Sequence, residues 1–224
     1  MNNLKLDLKR ITLICIDGRV IDEEKLERYR LIVDYMVKRV DFHRIIFVAM
    51  SNPNIEGVDF IKTDRMSIND YSSFCVKRLN DYIDSDFCMI FQDDGFILNP
   101  ELWDDSFLDY DYIGAPWPFT LGWPVEGRQV GNGGFSLRSK KFLQISSELP
   151  DTRENEDTYI LCANRDYLDS NNIRIAPLDV ARKFAVEVPL DDEHNINNCF
   201  GYHAKHLVNQ AIEYIKQKIS QRND

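Results

Sequence analysis

The sequence predicts an α/β fold: a mostly parallel, Rossmann-type sheet flanked by helices, with a loop-rich second half. Three observations carry this. Continuously apolar runs such as ITLICI at 11–16 and FCMIF at 87–91 have the length of strands buried on both faces. The stretches between such runs space their apolar residues at helical intervals. The resulting β-α-β-α-β alternation is the pattern of a parallel sheet covered by helices.

Taken in order, residues 11–16 form the first strand. Residues 22–40 set Leu26, Ile32, Val33, Met36, Val37 and Val40 among charges, which is a helix. Residues 44–50 are a second buried strand and 59–61 a short third. Ser67 or Asn69 caps a helix running to about residue 83, with Phe74, Leu79, Tyr82 and Ile83 as its apolar side. Residues 87–91 are a further buried strand. The texture then changes: seven of the ten glycines lie between Gly95 and Gly134, with all three tryptophans, Trp103, Trp117 and Trp123. Loops on a rigid scaffold are where binding groups usually sit. Beyond them, 140–148 and 157–169 read as helices and 173–176 and 184–188 as strands. Residues 203–218 read as a C-terminal helix, with 220–224 frayed.

The chain has 224 residues, 44% apolar and 29% charged, enough for a real core and unlike a disordered chain. No repeat, low-complexity tract or linker divides it, so one domain over 1–224 is expected. Its 27 basic against 37 acidic residues give a net charge of −10. That balance argues against a nucleic-acid binder and against a purely electrostatic anchor on anionic lipid. No apolar run approaches the roughly 20 residues of a membrane span. Residues 1–10 alternate charge with leucine, so no signal peptide is expected. The five cysteines (Cys15, Cys75, Cys88, Cys162, Cys199) are widely spaced and form no C-x-x-C, as for reduced thiols in a cytosolic protein.

Four constellations could carry chemistry. In the first, the buried strand 87–91 runs straight into Gln92-Asp93-Asp94-Gly95. Ligands of open α/β sheets bind beyond the carboxyl ends of strands. Adjacent carboxylates there are costly unless a cation compensates them, and hard divalent cations take carboxylate oxygens and bridge to phosphates. A solvated Asp-Asp-Gly turn is the plain alternative. The second is Gly131-Asn132-Gly133-Gly134, followed by Phe135-Ser136-Leu137-Arg138, which alternates like a short strand. Paired glycines let backbone approach a ligand, or simply make a hairpin turn. The third is Glu154-Asn155-Glu156-Asp157 at an apparent helix start. Acids there answer the helix dipole, or one of them acts as a general base. The fourth is Gly201-Tyr202-His203, where the imidazole is structural or a metal ligand.

In this order, the four constellations resemble a nucleotide-sugar glycosyltransferase of GT-A fold, most closely the inverting β-1,4-galactosyltransferase type. The sequence also looks like bacterial glycosyltransferases that carry Gly-Ala-Pro-Trp, here 114–117, ahead of Gly-Asn-Gly-Gly-Phe-Ser. The resemblance implies a donor half over about 1–95, a loop-rich acceptor and catalytic half over about 96–206, and a C-terminal helix over about 203–219. It implies that Asp94 and His203 hold Mn²⁺ or Mg²⁺, with Asp93 supporting the metal or the ribose. Gln92 stands where the motif has its first acid; it can hydrogen-bond a ribose but adds no charge. Asp17 and its neighbours, with Ser51-Asn52, would meet the nucleotide. Gly133 and Gly134 would lie against the donor sugar and the acceptor. Asp157 would be the catalytic base and Glu156 an acceptor or sugar contact. Trp117, Trp123 and Asn132 would meet the acceptor.

The expected activity is transfer, with inversion, from a nucleotide-diphosphate sugar, such as a UDP-sugar, to a glycan or lipid-linked hydroxyl. Bacterial members of this type build surface polysaccharide such as lipopolysaccharide or capsule. That implies a cytoplasmic protein at the inner face of the membrane, with any membrane contact supplied by a partner. Two alternatives share some of these residues: a metal-dependent nucleotidyl- or phosphotransferase, and an inactive nucleotide- or carbohydrate-binding module.

Overall fold

The structure is a computed structural model that describes residues 4–122 and 124–221. The expectations for Trp123 and for the frayed residues 222–224 lie outside the described residues. The first half runs β1 (Leu6–Asp17), α1 (Glu23–Val37), β2 (Val40–Ala49), β3 (Asp59–Lys62), α2 (Ile68–Lys77) and β4 (Phe87–Phe91). The second half runs β5 (Gly95–Ile97), β6 (Tyr112–Gly114), β7 (Ser136–Ser139), α3 (Lys140–Glu148), α4 (Glu156–Thr158) and α5 (Arg165–Ser170). It continues with α6 (Leu178–Phe184), β8 (Ala185–Val186), β9 (Gly201–His203) and α7 (Val208–Ser220).

A six-stranded sheet has the order β3-β2-β1-β4-β7-β6. Its first four strands are parallel, as the apolar runs predict. β7 and β6 then pair antiparallel, so the parallel character stops where the regular alternation stops. The pleat divides the core. Along β1, Leu13 and Cys15 join α1 residues such as Tyr29 and Met36 on one face, while Ile14 and Ile16 join Cys75, Val76 and Leu79 of the α2 region on the other. Helices α1 and α7 touch on the first side, α2 and α3 on the second.

The chain leaves β1 toward β2 and β3, then returns to place β4 on β1's other flank. The carboxyl ends of β1 and β4 thus meet at a topological switch point, where ligands of open α/β sheets bind. A second sheet, β5-β9-β8, is built beside this crevice from short strands. In it Gly95 pairs with His203, which carries a residue near the C-terminus to the end of β4.

Several expectations are corrected. His203 ends a strand; the C-terminal helix starts at Val208, after a 3₁₀ turn at Lys205–Leu207. The helix over 157–169 is interrupted by a π-helical turn at Tyr159–Ala163, and the Asn164 side chain donates to the Tyr159 carbonyl at 2.9 Å. Residues 173–176 reach the sheet only through a bridge between Tyr112 and Ile175, and the strand expected over 184–188 is two residues long. Of the two cap candidates for α2, Ser67 is the cap: it accepts from the Asp70 N–H at 3.2 Å, and Asp70 accepts from the Ser67 N–H at 2.8 Å. All five cysteines are free thiols and only Cys162 is partly exposed. Among the described residues, no helix is long and apolar enough to cross a membrane.

Candidate functional site

A cavity of about 610 Å³ opens at the switch point. Its floor is the end of β1, from Ile16 through Arg19, with Gln92 and Asp94 beyond β4. One wall is the start of α2, where the Met66 N–H donates to the Gly18 carbonyl at 2.9 Å and so holds this segment against β1. The opposite wall is the Asn132-Gly133-Gly134 loop with the first turn of α4. Glu187 and Val188 after β8, and His203 with the turn that follows, close the remaining side.

The two carboxylates after β4 point to different places. Asp94 lines the cavity, whereas Asp93 does not. Asp93 instead faces a cationic cluster, within 3.2 Å of Arg19, 3.4 Å of Lys25 and 3.1 Å of Arg28. Asp17 shares that cluster. It accepts from Arg19 Nε at 2.8 Å and from the Tyr29 hydroxyl at 2.8 Å, and it lies 2.7 Å from the Lys25 ammonium. Burial pushes the Asp17 carboxyl up, but Arg19 and Lys25 outweigh it and hold it down at about 2. The floor is therefore built from buried acids that are already compensated, and the Arg19 guanidinium spans both while reaching the cavity.

Asp94 is different. One of its oxygens, Oδ1, is buried without a hydrogen-bond partner, and His203 Nε2 lies 3.6 Å away. The same Nε2 is 3.3 Å from Gln92 Oε1, and Gln92 in turn donates to the Tyr71 hydroxyl at 3.2 Å. Burial pushes the His203 imidazole below its ordinary value, against the pull of Asp94 and Asp157. Glycine makes this packing possible. A Cβ on Gly134 would lie 2.1 Å from His203 Nε2, and one on Gly95 would lie 2.6 Å from the same ring.

Among the described residues, no three His, Cys, Asp or Glu side chains are grouped to hold a metal. Asp94, His203 and the neutral oxygen of Gln92 are the side chains that could hold one, two ligating groups and one supporting oxygen. That set suits a divalent cation taking its remaining ligands from substrate phosphates and water, and the orphaned Asp94 oxygen is the observation that fits it.

On the opposite wall, Glu156 and Asp157 have separate surroundings. Glu156 is buried and accepts from Arg138 Nη2 at 2.9 Å; burial pushes its carboxyl up and Arg138 opposes the shift. Its contact is thus with Arg138 beneath the loop, although it borders the cavity. Asp157 faces the cavity, oriented by the Gly133 N–H at 3.3 Å on Oδ2 and the Thr158 N–H at 2.7 Å on Oδ1. Asn132 sits at φ 64°, a left-handed conformation asparagine tolerates, and its Oδ1 accepts from the Gly134 N–H at 3.2 Å. Trp117 borders the cavity but is 4% exposed, its ring pressed on Gly131, so little of its face is open to stack on a sugar.

Ser51 and Asn52, expected at the nucleotide, do not line the cavity, whereas the start of α2 does. Sequence reasoning missed Tyr71, Arg138, Glu187 and Lys205. Arg138 ends an alternating Phe-Ser-Leu-Arg run and showed no sign of its buried partner. Glu187 is a single acid after a short apolar run, and only the second sheet brings it to the site.

The family model described as "Protein of unknown function (DUF5672)" matches residues 56–203. The chain belongs to that family. The match takes in the strand end at Gln92–Asp94, the glycine loop, Glu156–Asp157 and His203. No curated protein matches the chain. Among solved structures, it is similar to a glycosyltransferase involved in the glycosylation of the major capsid of PBCV-1. The identity is 12%, the coverage 92% of this chain and 98% of that one, and the TM-score 0.49. A likeness of that size carries no argument about chemistry.

Proposed function

We propose that the protein is an inverting glycosyltransferase that moves a sugar from a nucleoside-diphosphate donor to an acceptor hydroxyl. One observation carries the reading. A single cavity at the β1/β4 switch point joins an unpartnered Asp94 oxygen facing His203 to an open, backbone-oriented Asp157. The two groups suit the two ends of a displacement at an anomeric carbon. Negative charge grows on the leaving diphosphate, and a proton must leave the attacking hydroxyl.

In this reading the nucleotide lies over Asp17 and Arg19, with Arg19 and Lys205 as cations toward the phosphates. When a divalent cation is bound at Asp94 and His203, it supplies Lewis-acid stabilisation of the departing diphosphate. Asp157 accepts the proton of the acceptor hydroxyl as that oxygen attacks from the face opposite the leaving group, which gives inversion in one step. The N–H groups of Gly133 and Thr158 hold the Asp157 carboxylate in place. A UDP-sugar donor, a glycan or lipid-linked acceptor and a role in surface polysaccharide synthesis at the inner face of the membrane follow from the sequence resemblance and belong to the same proposal.

The test is a thermal-shift panel of UDP, GDP, CMP and dTDP, each with Mn²⁺ and with EDTA. A ligand that binds only the folded state adds about 2.7 kcal/mol of stability at a hundredfold excess over its Kd. The expected result is a shift specific to one nucleotide that shrinks in EDTA and is insensitive to EDTA in Asp94→Ala. No shift with any nucleotide contradicts the proposal.

A further inference from the structure

The cavity holds a carboxylate that the proposed reaction does not use. Glu187 follows β8, which runs parallel to β9 with Val186 opposite Tyr202. Glu187 thus comes level with His203, and both border the cavity. It is half-buried, and the groups that act on it are Asn132, Asp157 and Asp94, with no cation among them. Burial pushes its carboxyl up, the two aspartates add to the shift, and the Asn132 amide opposes it.

Asn132 supplies the geometric observation. It is 2% exposed and lines the cavity, and its Nδ2 approaches the Glu187 carboxylate without completing a hydrogen bond. The Gly134 N–H occupies its Oδ1, so the nitrogen is the end left over. A buried donor left short of a partner is destabilising, and a ligand that satisfies it recovers that cost. Nδ2 needs an acceptor and the Glu187 carboxylate accepts hydrogen bonds. A hydroxyl is the small neutral group that accepts and donates at one atom.

Glu187 lines the same cavity as Asp94 and Asp157, the groups at the two ends of the proposed displacement. The fragment held between those ends is the sugar in transit. We infer that Glu187 and Asn132 form a hydroxyl-reading subsite for the transferred sugar. Glu187 accepts a hydrogen bond from a ring hydroxyl, and Asn132 Nδ2 donates to that oxygen or its neighbour. This rests on the glycosyl-transfer reading and makes Glu187 the residue that selects the donor sugar. A site built to hydrogen-bond a substrate hydroxyl rejects the analogue lacking it strongly, by about 10⁴–10⁵-fold in the best cases.

The experiment is calorimetric titration of the folded full chain with Mn²⁺. The ligands are the nucleoside diphosphates above, UDP-glucose, UDP-galactose, UDP-N-acetylglucosamine, GDP-mannose and dTDP-glucose, then deoxy analogues of the sugar that binds best. Glu187→Ala is expected to bind the nucleoside diphosphate within about twofold of wild type. It should bind the nucleotide-sugar at least about tenfold more weakly, and one deoxy analogue should bind wild type and variant alike. Asn132→Asp, which tolerates the left-handed backbone, keeps the Oδ1 acceptor for the Gly134 N–H and removes the Nδ2 donor, should show the same selective loss. Equal weakening of nucleotide and nucleotide-sugar by both variants, or no change in either, overturns the subsite while leaving glycosyl transfer standing. Failure of the wild type to bind any nucleotide overturns the transferase reading, and this inference with it.

Discussion

At the scale of the residue, Asp17 shows how the site's charge is arranged. Its side chain is 1% exposed, yet Arg19, Lys25 and the Tyr29 hydroxyl keep it ionised, and Asp93 draws on the same cations. A carboxyl held at about 2 when folded and near 3.8 when unfolded stabilises the fold once the pH exceeds the unfolded value. The contribution is about 2 kcal/mol, fully present above roughly pH 5 and lost as the pH falls from about 4 through 2. Urea unfolding of wild type against Asp17→Asn should show the gap between them closing over that range. A gap that stays constant from pH 5 to pH 2 contradicts the assignment. The sequence made Asp17 visible as an acid at a strand end. It did not reveal Arg28 or Lys25, because they reach Asp93 from α1, 65 and 68 positions away in the chain, and only the packing of α1 on the sheet brings them there.

At the scale of the element, the glycine loop, β7 and α4 are tied by one buried cation. Arg138 is wholly buried at the middle of β7. It donates to Glu156 Oε1 at 2.9 Å, to the Gly133 carbonyl at 3.3 Å and to Ser136 Oγ at 3.0 Å, and stands 5.4 Å from the Tyr112 ring. Removing one partner of such a pair leaves an uncompensated buried charge, at a cost of about 3–5 kcal/mol. Glu156→Ala should therefore lower unfolding free energy by that amount in urea; a loss under about 1 kcal/mol would show that the tie is slack. The adjacent acids were legible as a helix start, but their division of labour was not. Glu156 turns inward to a partner 18 residues back, and Asp157 outward to the cavity. The parallel strands were readable because burial on both faces makes them continuously apolar. β5, β8 and β9 are two or three residues long, too short for any period to register, so His203 read as part of a helix.

At the scale of the whole molecule, the parallel half supplies a switch point and the irregular half supplies the walls. The order of the sheet puts the ends of β1 and β4 side by side; the second sheet then brings Glu187 and His203 to them, and the antiparallel flank brings the glycine loop and Asp157. Neither half holds the site alone, which is why residues scattered from Asp17 to His206 border one cavity. In the proposed reaction this cavity transfers a sugar and Asp157 takes the acceptor's proton. The most direct measurement is the rate of sugar transfer by Asp157→Asn, beside its affinity for the same nucleotide-sugar. Loss of a positioned general base costs about 10²–10⁴-fold in rate. The account predicts a fall in kcat of that size with donor affinity within about threefold of wild type. Transfer at an undiminished rate, or donor affinity that collapses together with the rate, would contradict it.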